Sequence, residues 1–241
     1  MEHPTKLPAV DTGETRAAAA GDVWLRPPRA RRETPPLSRE RIVAEAIALL
    51  DEEGLARLTM RRLAERLGTG STTLYWHVKT KDDVIDLALD EVFGEVALPD
   101  PGDPSWRVDV TALILGWRAA MLRHPWSTAV LARPLMGPNV LTRTEFLHAR
   151  LATAGFAGPE LSALASALAN YVIGSALMQA TAEPADEEAA RRAAERHLRE
   201  RSDRYPTLAE TGPPIGRDWD DAFALGLDCL LDGVQARAGR E

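Results

Sequence analysis

Only one cysteine, Cys229, occurs in 241 residues, so no disulfide can form within the chain. It lies in the apolar run Phe223 to Leu231, which predicts a buried structural thiol rather than a nucleophile. Histidine is scarce as well. The five, His3, His77, His124, His148 and His197, are scattered, and none has metal-ligand spacing with a carboxylate neighbour. Phosphate-cradling glycine loops and nucleophile motifs are missing too. An enzyme built on a helical bundle with an incidental basic face therefore lacks a catalytic constellation. No catalytic residue, metal or cofactor is expected. Residues 1 to 25 hold no apolar run long enough for a secretory leader, which predicts a cytoplasmic protein.

One long stretch lacks charge altogether. Leu161 to Ala182 carries no charged side chain, over a length at which a membrane span has to be weighed. Ser162, Ser166, Asn170, Ser175 and Gln179 stand among many alanines there, and no second span accompanies it. A buried, tightly packed helix is predicted, with no membrane contact. Its small residues Ala167, Gly174 and Ser175 permit close helix approach, as in a bundle that pairs with a second subunit. Asp186 to Arg204 is the opposite, charged throughout. Glu187 with Arg191, Glu188 with Arg192, Glu195 with Arg199 and Glu200 with Arg204 stand four apart, as in a solvated surface helix.

The informative stretch is Thr59 to Lys81, which reads as two short helices joined by a tight turn. Thr59 can cap the first, and Leu63, Ala64 and Leu67 lie on one face of it. Gly68 can end it in the left-handed region, and Ser71 can cap the second helix, whose Leu74 and Val78 stand one turn apart. Ala64, four residues before Gly68, lets two helices cross closely. The pattern is that of a DNA-binding helix-turn-helix. Its solvent side carries Arg61, Arg62, Arg66, Lys79 and Lys81 with Ser71, Thr72, Thr73, Tyr75 and Trp76 beside them. Such groups meet phosphates and base edges. The plainer alternative is an ordinary core helix pair with a solvated basic face.

Net charge is −7, but it is unevenly placed. Arg26 to Lys81 holds 12 Lys and Arg against 7 Asp and Glu, leaving 17 against 29 elsewhere. The basic part is the part that would face phosphates. Residues 1–36 read as disordered, and their basic end, Arg26 to Pro36, contains Arg29, Arg31 and Arg32 among prolines. It is either a solvated linker or an arm lying along DNA. Ser38 starts a helix that Gly54 closes, and Thr80 with Asp83 resembles a capping box opening a helix to about Val96. Pro99 to Pro104 marks a break. Beyond it come helices at Ser105 to His124, Asn139 to Ala154 and Leu161 to Ala182, with a last one carrying Trp219, Phe223, Leu227, Leu230, Leu231 and Val234. The fold class is all-α, with a helix-turn-helix domain at 37–97 and a larger helical domain at 104–238.

The run from Ser38 to Val96, above all Leu74-Tyr75-Trp76-His77-Val78-Lys79 with Lys81, resembles the N-terminal domain of TetR-family transcriptional regulators, and especially the tetracycline repressors. The likeness continues through Leu122-Arg123-His124 and Ala154-Gly155-Phe156. It implies an all-helical homodimer that binds a palindromic operator and releases it when a small molecule binds. The family's DNA contacts fall on Arg61, Ser71, Thr72, Thr73, Tyr75, Trp76, His77 and Lys81. Arg61 can address guanine, threonine methyls thymine, and the aromatic pair with Lys81 the backbone. The resemblance also implies dimer contacts through helices near 160–180 and 218–236.

The likeness further implies a ligand pocket among the helices at 105–124, 139–154 and 161–180. Its candidate lining is Leu113, Trp117, Met121, Leu131, Arg133, Arg143, Phe146, Leu147, Asn170, Ile173 and Met178, any of which could equally be plain core. The histidine that holds magnesium in tetracycline repressors falls on Leu131. Other polar tetracycline contacts fall on Ala97, Leu113 and Met178, and an aromatic one on Trp117. A larger or more hydrophobic effector than metal-bound tetracycline is therefore expected. The alternative is a regulator governed by a protein partner, which a filled second domain would favour.

Overall fold

Serine and threonine caps set where four of the described helices begin. The computed structural model describes residues 37–99, 105–131, 135–182, 184–213 and 218–238. Ser38 accepts from the Arg41 N–H at the start of α1 (Arg39–Glu53), and Thr59 accepts from the Arg62 N–H at the start of α2 (Met60–Arg66). The short α3 (Ser71–Tyr75) follows. Thr80 and Asp83 close a reciprocal capping box on α4 (Lys81–Gly94), with Asp83 N–H on the Thr80 hydroxyl at 3.0 Å and Thr80 N–H on the Asp83 carboxylate at 3.1 Å. Ser105 caps α5 (Trp106–Arg123). A 3₁₀ turn at Pro125–Val130 comes next, where Pro125 has no N–H to continue the helix.

The remaining helices are α6 (Pro138–Thr153), α7 (Gly158–Thr181), α8 (Pro184–Arg199), α9 (Pro206–Thr211) and α10 (Trp219–Ala238). Among the described residues there is no strand, as the all-α reading expects. One hydrophobic core runs through α1–α4, built on Ile42, Leu49, Leu63, Leu74 and Leu89, and on into α5–α7 through Leu113, Ile114, Leu151 and Val172. The helix α4 is common to both ends. It packs on α1 and on α6.

The uncharged helix α7 is long and apolar enough to cross a membrane by length and composition alone. It packs Ala165, Leu168, Val172 and Ala176 into the core against α5, α6, the 3₁₀ turn and α10. Its other side, including Ser166, Ala167, Leu177 and Met178, is exposed in the single chain. In α10, Phe223, Leu227, Leu231 and Val234 are buried, whereas Leu225 and Leu230 are exposed. Cys229 is exposed as well, which corrects the expectation of a buried thiol. The inward stripe of α10 repeats every three or four residues, and position 229 falls between its members.

Pairs four apart do form in α8, between Arg192 and Glu188 at 3.4 Å and Arg199 and Glu195 at 4.0 Å. Arg191 joins Glu188 and Glu195. Beyond the helix end the expected Glu200–Arg204 pair is replaced: Glu200 meets Arg201, and Arg204 stacks over Tyr205. Helical spacing brings side chains together only where the helix persists.

Candidate nucleic-acid interface and cavity

The turn before α3 is built by backbone geometry. Gly68 takes φ +67°, and the N–H of Thr69 reaches back to the Ala64 carbonyl at 3.0 Å. Gly70, not Ser71, occupies the capping position, and no side chain caps α3. Ser71 is instead the first helical residue, which leaves its hydroxyl on the exposed surface. Leu74 and Val78 are buried and pin α3 to the core. Around them Ser71, Thr72, Thr73, Tyr75 and Lys79 are exposed and His77 is half-buried. Trp76 is 85% exposed, a large apolar ring that no described residue covers.

The arginines of α2 divide. Arg61 points outward, its side chain 87% exposed, and among the described residues it is held by Glu65 one turn along at 2.9 Å. Arg62 turns back to Glu53 on α1, and Arg66 to Glu45 and Glu52. Arg66 holds the Glu52 carboxyl below the usual carboxylate range, and Arg62 does the same for Glu53. Arg66 is itself raised, first by Glu52 and then by Glu45. The uniformly basic face expected from sequence is therefore narrower. Two of its five cations brace α2 against α1, a pairing that residues this far apart in sequence do not announce. Lys81 donates from Nζ to the Leu55 carbonyl at 3.0 Å, which fixes its stem and leaves further ammonium donors. Arg29, Arg31 and Arg32 lie outside the described residues.

Away from this face, a cavity of about 110 Å³ opens between α4, α5, α6 and α7. Of the candidate lining, Trp117, Met121, Leu131 and Ile173 reach it. Leu113 and Leu147 sit in the core off the cavity. Phe146 lies under the Arg150 guanidinium, Asn170 and Met178 are exposed, and Arg133 lies outside the described residues. Sequence reasoning missed Phe93, Leu135, Val140, Thr144, Ala169 and Val172. Phe93 is the informative omission, because it comes from α4 and stacks edge-on against Trp117 with centroids 6.3 Å apart. Apolar spacing along α4 carries no signal for which helix Phe93 meets.

Arg143 does something other than line the cavity. Its Nε donates to the Val96 carbonyl at 2.9 Å, and its Nη2 to Val96 and Gly94 carbonyls at 2.6 Å each. It thus caps the C-terminal end of α4 from α6. Burial presses its guanidinium below the ordinary arginine value, and the Asp90 carboxylate opposes that shift. Asp90 makes the reverse connection. From α4 it accepts the N–H of Asn139 at 3.3 Å and of Val140 at 3.0 Å, capping the N-terminal end of α6. Each helix closes an open end of the other. Gly137 is required there, because an added Cβ would lie 2.1 Å from Asp90 Oδ1.

A second connection joins α1 to the end of α5. The buried His124 places Nδ1 2.8 Å from Asp51 and Nε2 3.2 Å from Glu95, and Trp126 donates to Asp51 at 2.8 Å. The exposed face of α2 and α3, through α1 and α4, is therefore tied to the cavity walls at two places.

Comparison with known proteins bears on both ends. The family model described as "Bacterial regulatory proteins, tetR family" matches residues 42–88. The model described as "Tetracyclin repressor-like, C-terminal domain" matches residues 98–238. The chain is 47% identical over 228 residues to an HTH-type transcriptional regulator of Saccharopolyspora erythraea, covering 94% of this chain and 97% of that one. It is 32% identical over 244 residues to the HTH-type transcriptional repressor DrrR1 of Streptomyces coeruleorubidus, covering 92% and 89%. Among solved structures it is similar to Streptomyces coelicolor ActR in complex with actinorhodin, with a TM-score of 0.77 and 32% identity over 85% of this chain and 100% of that one.

Proposed function

The chain belongs to the TetR family of bacterial transcriptional regulators, and from that premise we propose that it is a cytoplasmic, homodimeric repressor released from its operator by a small, largely hydrophobic effector. Residues 37–97 read the operator and residues 104–238 bind the effector and the partner subunit. The observation that carries this reading is the course of α4. The helix starts at Lys81 beside the exposed face of α2 and α3, and it contributes Phe93 to the cavity. Twelve residues of helix separate the two, about 18 Å.

Arg61, Ser71, Thr72, Thr73, Tyr75, Trp76, His77, Lys79 and Lys81 contact DNA, with Arg61 addressing a base and the aromatic pair the backbone. Arg29, Arg31 and Arg32 add contacts from the arm. Two copies of α3 must then stand about 34–36 Å apart, or a multiple of one DNA turn. The exposed sides of α7 and α10, with Leu177, Met178, Leu225 and Leu230, supply the surface for pairing. The name of DrrR1 supports repression, and the ActR complex with actinorhodin supports a small-molecule effector. The cavity supports an effector over control by a protein partner.

At about 110 Å³ the cavity is smaller than the roughly 150 Å³ that houses a benzene ring. A larger molecule must part its walls, and those walls include the two helices that Asp90 and Arg143 cap reciprocally. Entry therefore displaces α4 at its far end, which alters the separation of the two recognition helices. A gel shift with DNA from the gene's own upstream region tests the reading. A salt-dependent, sequence-specific complex is expected, and failure to form one refutes it.

A further inference from the structure

One residue of the cavity wall carries a buried polar group that the packing does not satisfy. Trp117 is nine-tenths buried and lines the cavity, and its indole Nε1 has no hydrogen-bond partner among the described residues. An indole N–H can only donate, and leaving it buried and unpaired is costly. Nothing charged lines the cavity among the described residues, and Thr144 supplies the one other polar side chain. A bound water needs two to four polar partners, and this apolar lining offers few.

We propose that the effector is a neutral, mostly apolar molecule carrying a hydrogen-bond acceptor, of the ketone or ring-carbonyl kind, that receives the Trp117 indole N–H. This rests on the effector reading of the cavity given above. It adds the polarity and placement of the one anchor. A carboxylate or ammonium group on the buried part of the molecule would find no counter-charge and is selected against. A pure hydrocarbon would fill the space and leave the N–H unpaired. The ring is held for this purpose by Phe93, which packs edge-on against it.

The test uses two probes of equal shape, cyclopentanone and methylenecyclopentane, with six heavy atoms each. Both are titrated into the full-length protein carrying ¹⁵N-labelled tryptophan. The Trp117 resonance, identified by its loss in Trp117→Phe, should move downfield with the ketone and not with the hydrocarbon. Trp117→Phe should weaken the ketone about fivefold relative to the hydrocarbon, the comparison cancelling differences in hydration and cavity size. The wild-type indole shift keeps the proposal falsifiable should the variant fold poorly. An unchanged ratio, an unmoved indole resonance or no binding of either probe overturns the proposal. Operator binding is read separately by gel shift. An intact ketone preference in a protein that binds no operator overturns the regulator reading and leaves the anchor standing.

Discussion

Replacing Arg143 with methionine keeps most of the buried stem and removes the guanidinium that closes α4. Two carbonyls, Gly94 and Val96, lose their donors, which stand at 2.6 to 2.9 Å. The remaining acceptors, the carbonyl and the side-chain Oδ1 of Asn139, lie four residues before Arg143 on α6, and that carbonyl keeps a helical partner. Each orphaned carbonyl costs about 1–3 kcal/mol. The desolvation of the guanidinium that burial imposes is relieved in the variant, which offsets part of this. The expected net loss is about 2–4 kcal/mol. For a chain of this size that lowers Tm by roughly 5–15 °C at matched protein concentration. Urea unfolding followed by circular dichroism measures it, with Arg143→Lys as a control that keeps the charge and loses the fork. Arg143→Lys should fall between the two. A loss below about 0.5 kcal/mol in Arg143→Met would refute the claim that the two helices cap one another.

Arg61→Ala should weaken operator binding by about 1–3 kcal/mol and relax preference at one base pair, which a mutated-operator series would expose. Gly137→Ala should push the Asp90 carboxylate off the α6 N-terminus and lower stability by about 1–3 kcal/mol, and an unchanged urea midpoint would contradict it. Hydrogen bonds with Thr80 and then the Lys79 N–H hold the Asp83 carboxyl below its ordinary value. Its contribution is therefore complete at neutral pH and is lost as pH falls below about 4. Asp83→Asn should flatten that acid limb in a Tm-against-pH series. Deleting residues 1–35 should weaken operator binding and reduce its salt slope, and equal slopes would remove the arm from the account.

Local chemistry announced the elements well. Ser38, Thr59, Thr80 and Ser105 cap the helices they precede because a hydroxyl beside a free N–H is decided within three residues. The exception, Ser71, shows the limit: Gly70 permits the extended turn one residue earlier, and the hydroxyl is left for other work. What the sequence could not show was pairing over long separations. Arg66 with Glu45 and Glu52, Arg143 with the end of α4, and Asp90 with the start of α6 all join residues that only the fold brings together. The same holds for the cavity. Trp117 and Met121 were legible as one stripe of α5, but Phe93 and Val140 come from helices whose facing could not be read in advance. Cys229 was placed in an apolar run correctly and on the wrong side of its helix, since composition carries no angle.

Hydroxyl-radical footprinting of the protein on its own upstream DNA tests the central claim most directly. A dimer offering two copies of α3 predicts two protected half-sites related by two-fold symmetry, with centres about 34–36 Å or a whole multiple of a DNA turn apart. A single asymmetric patch, or protection indifferent to sequence, would contradict it.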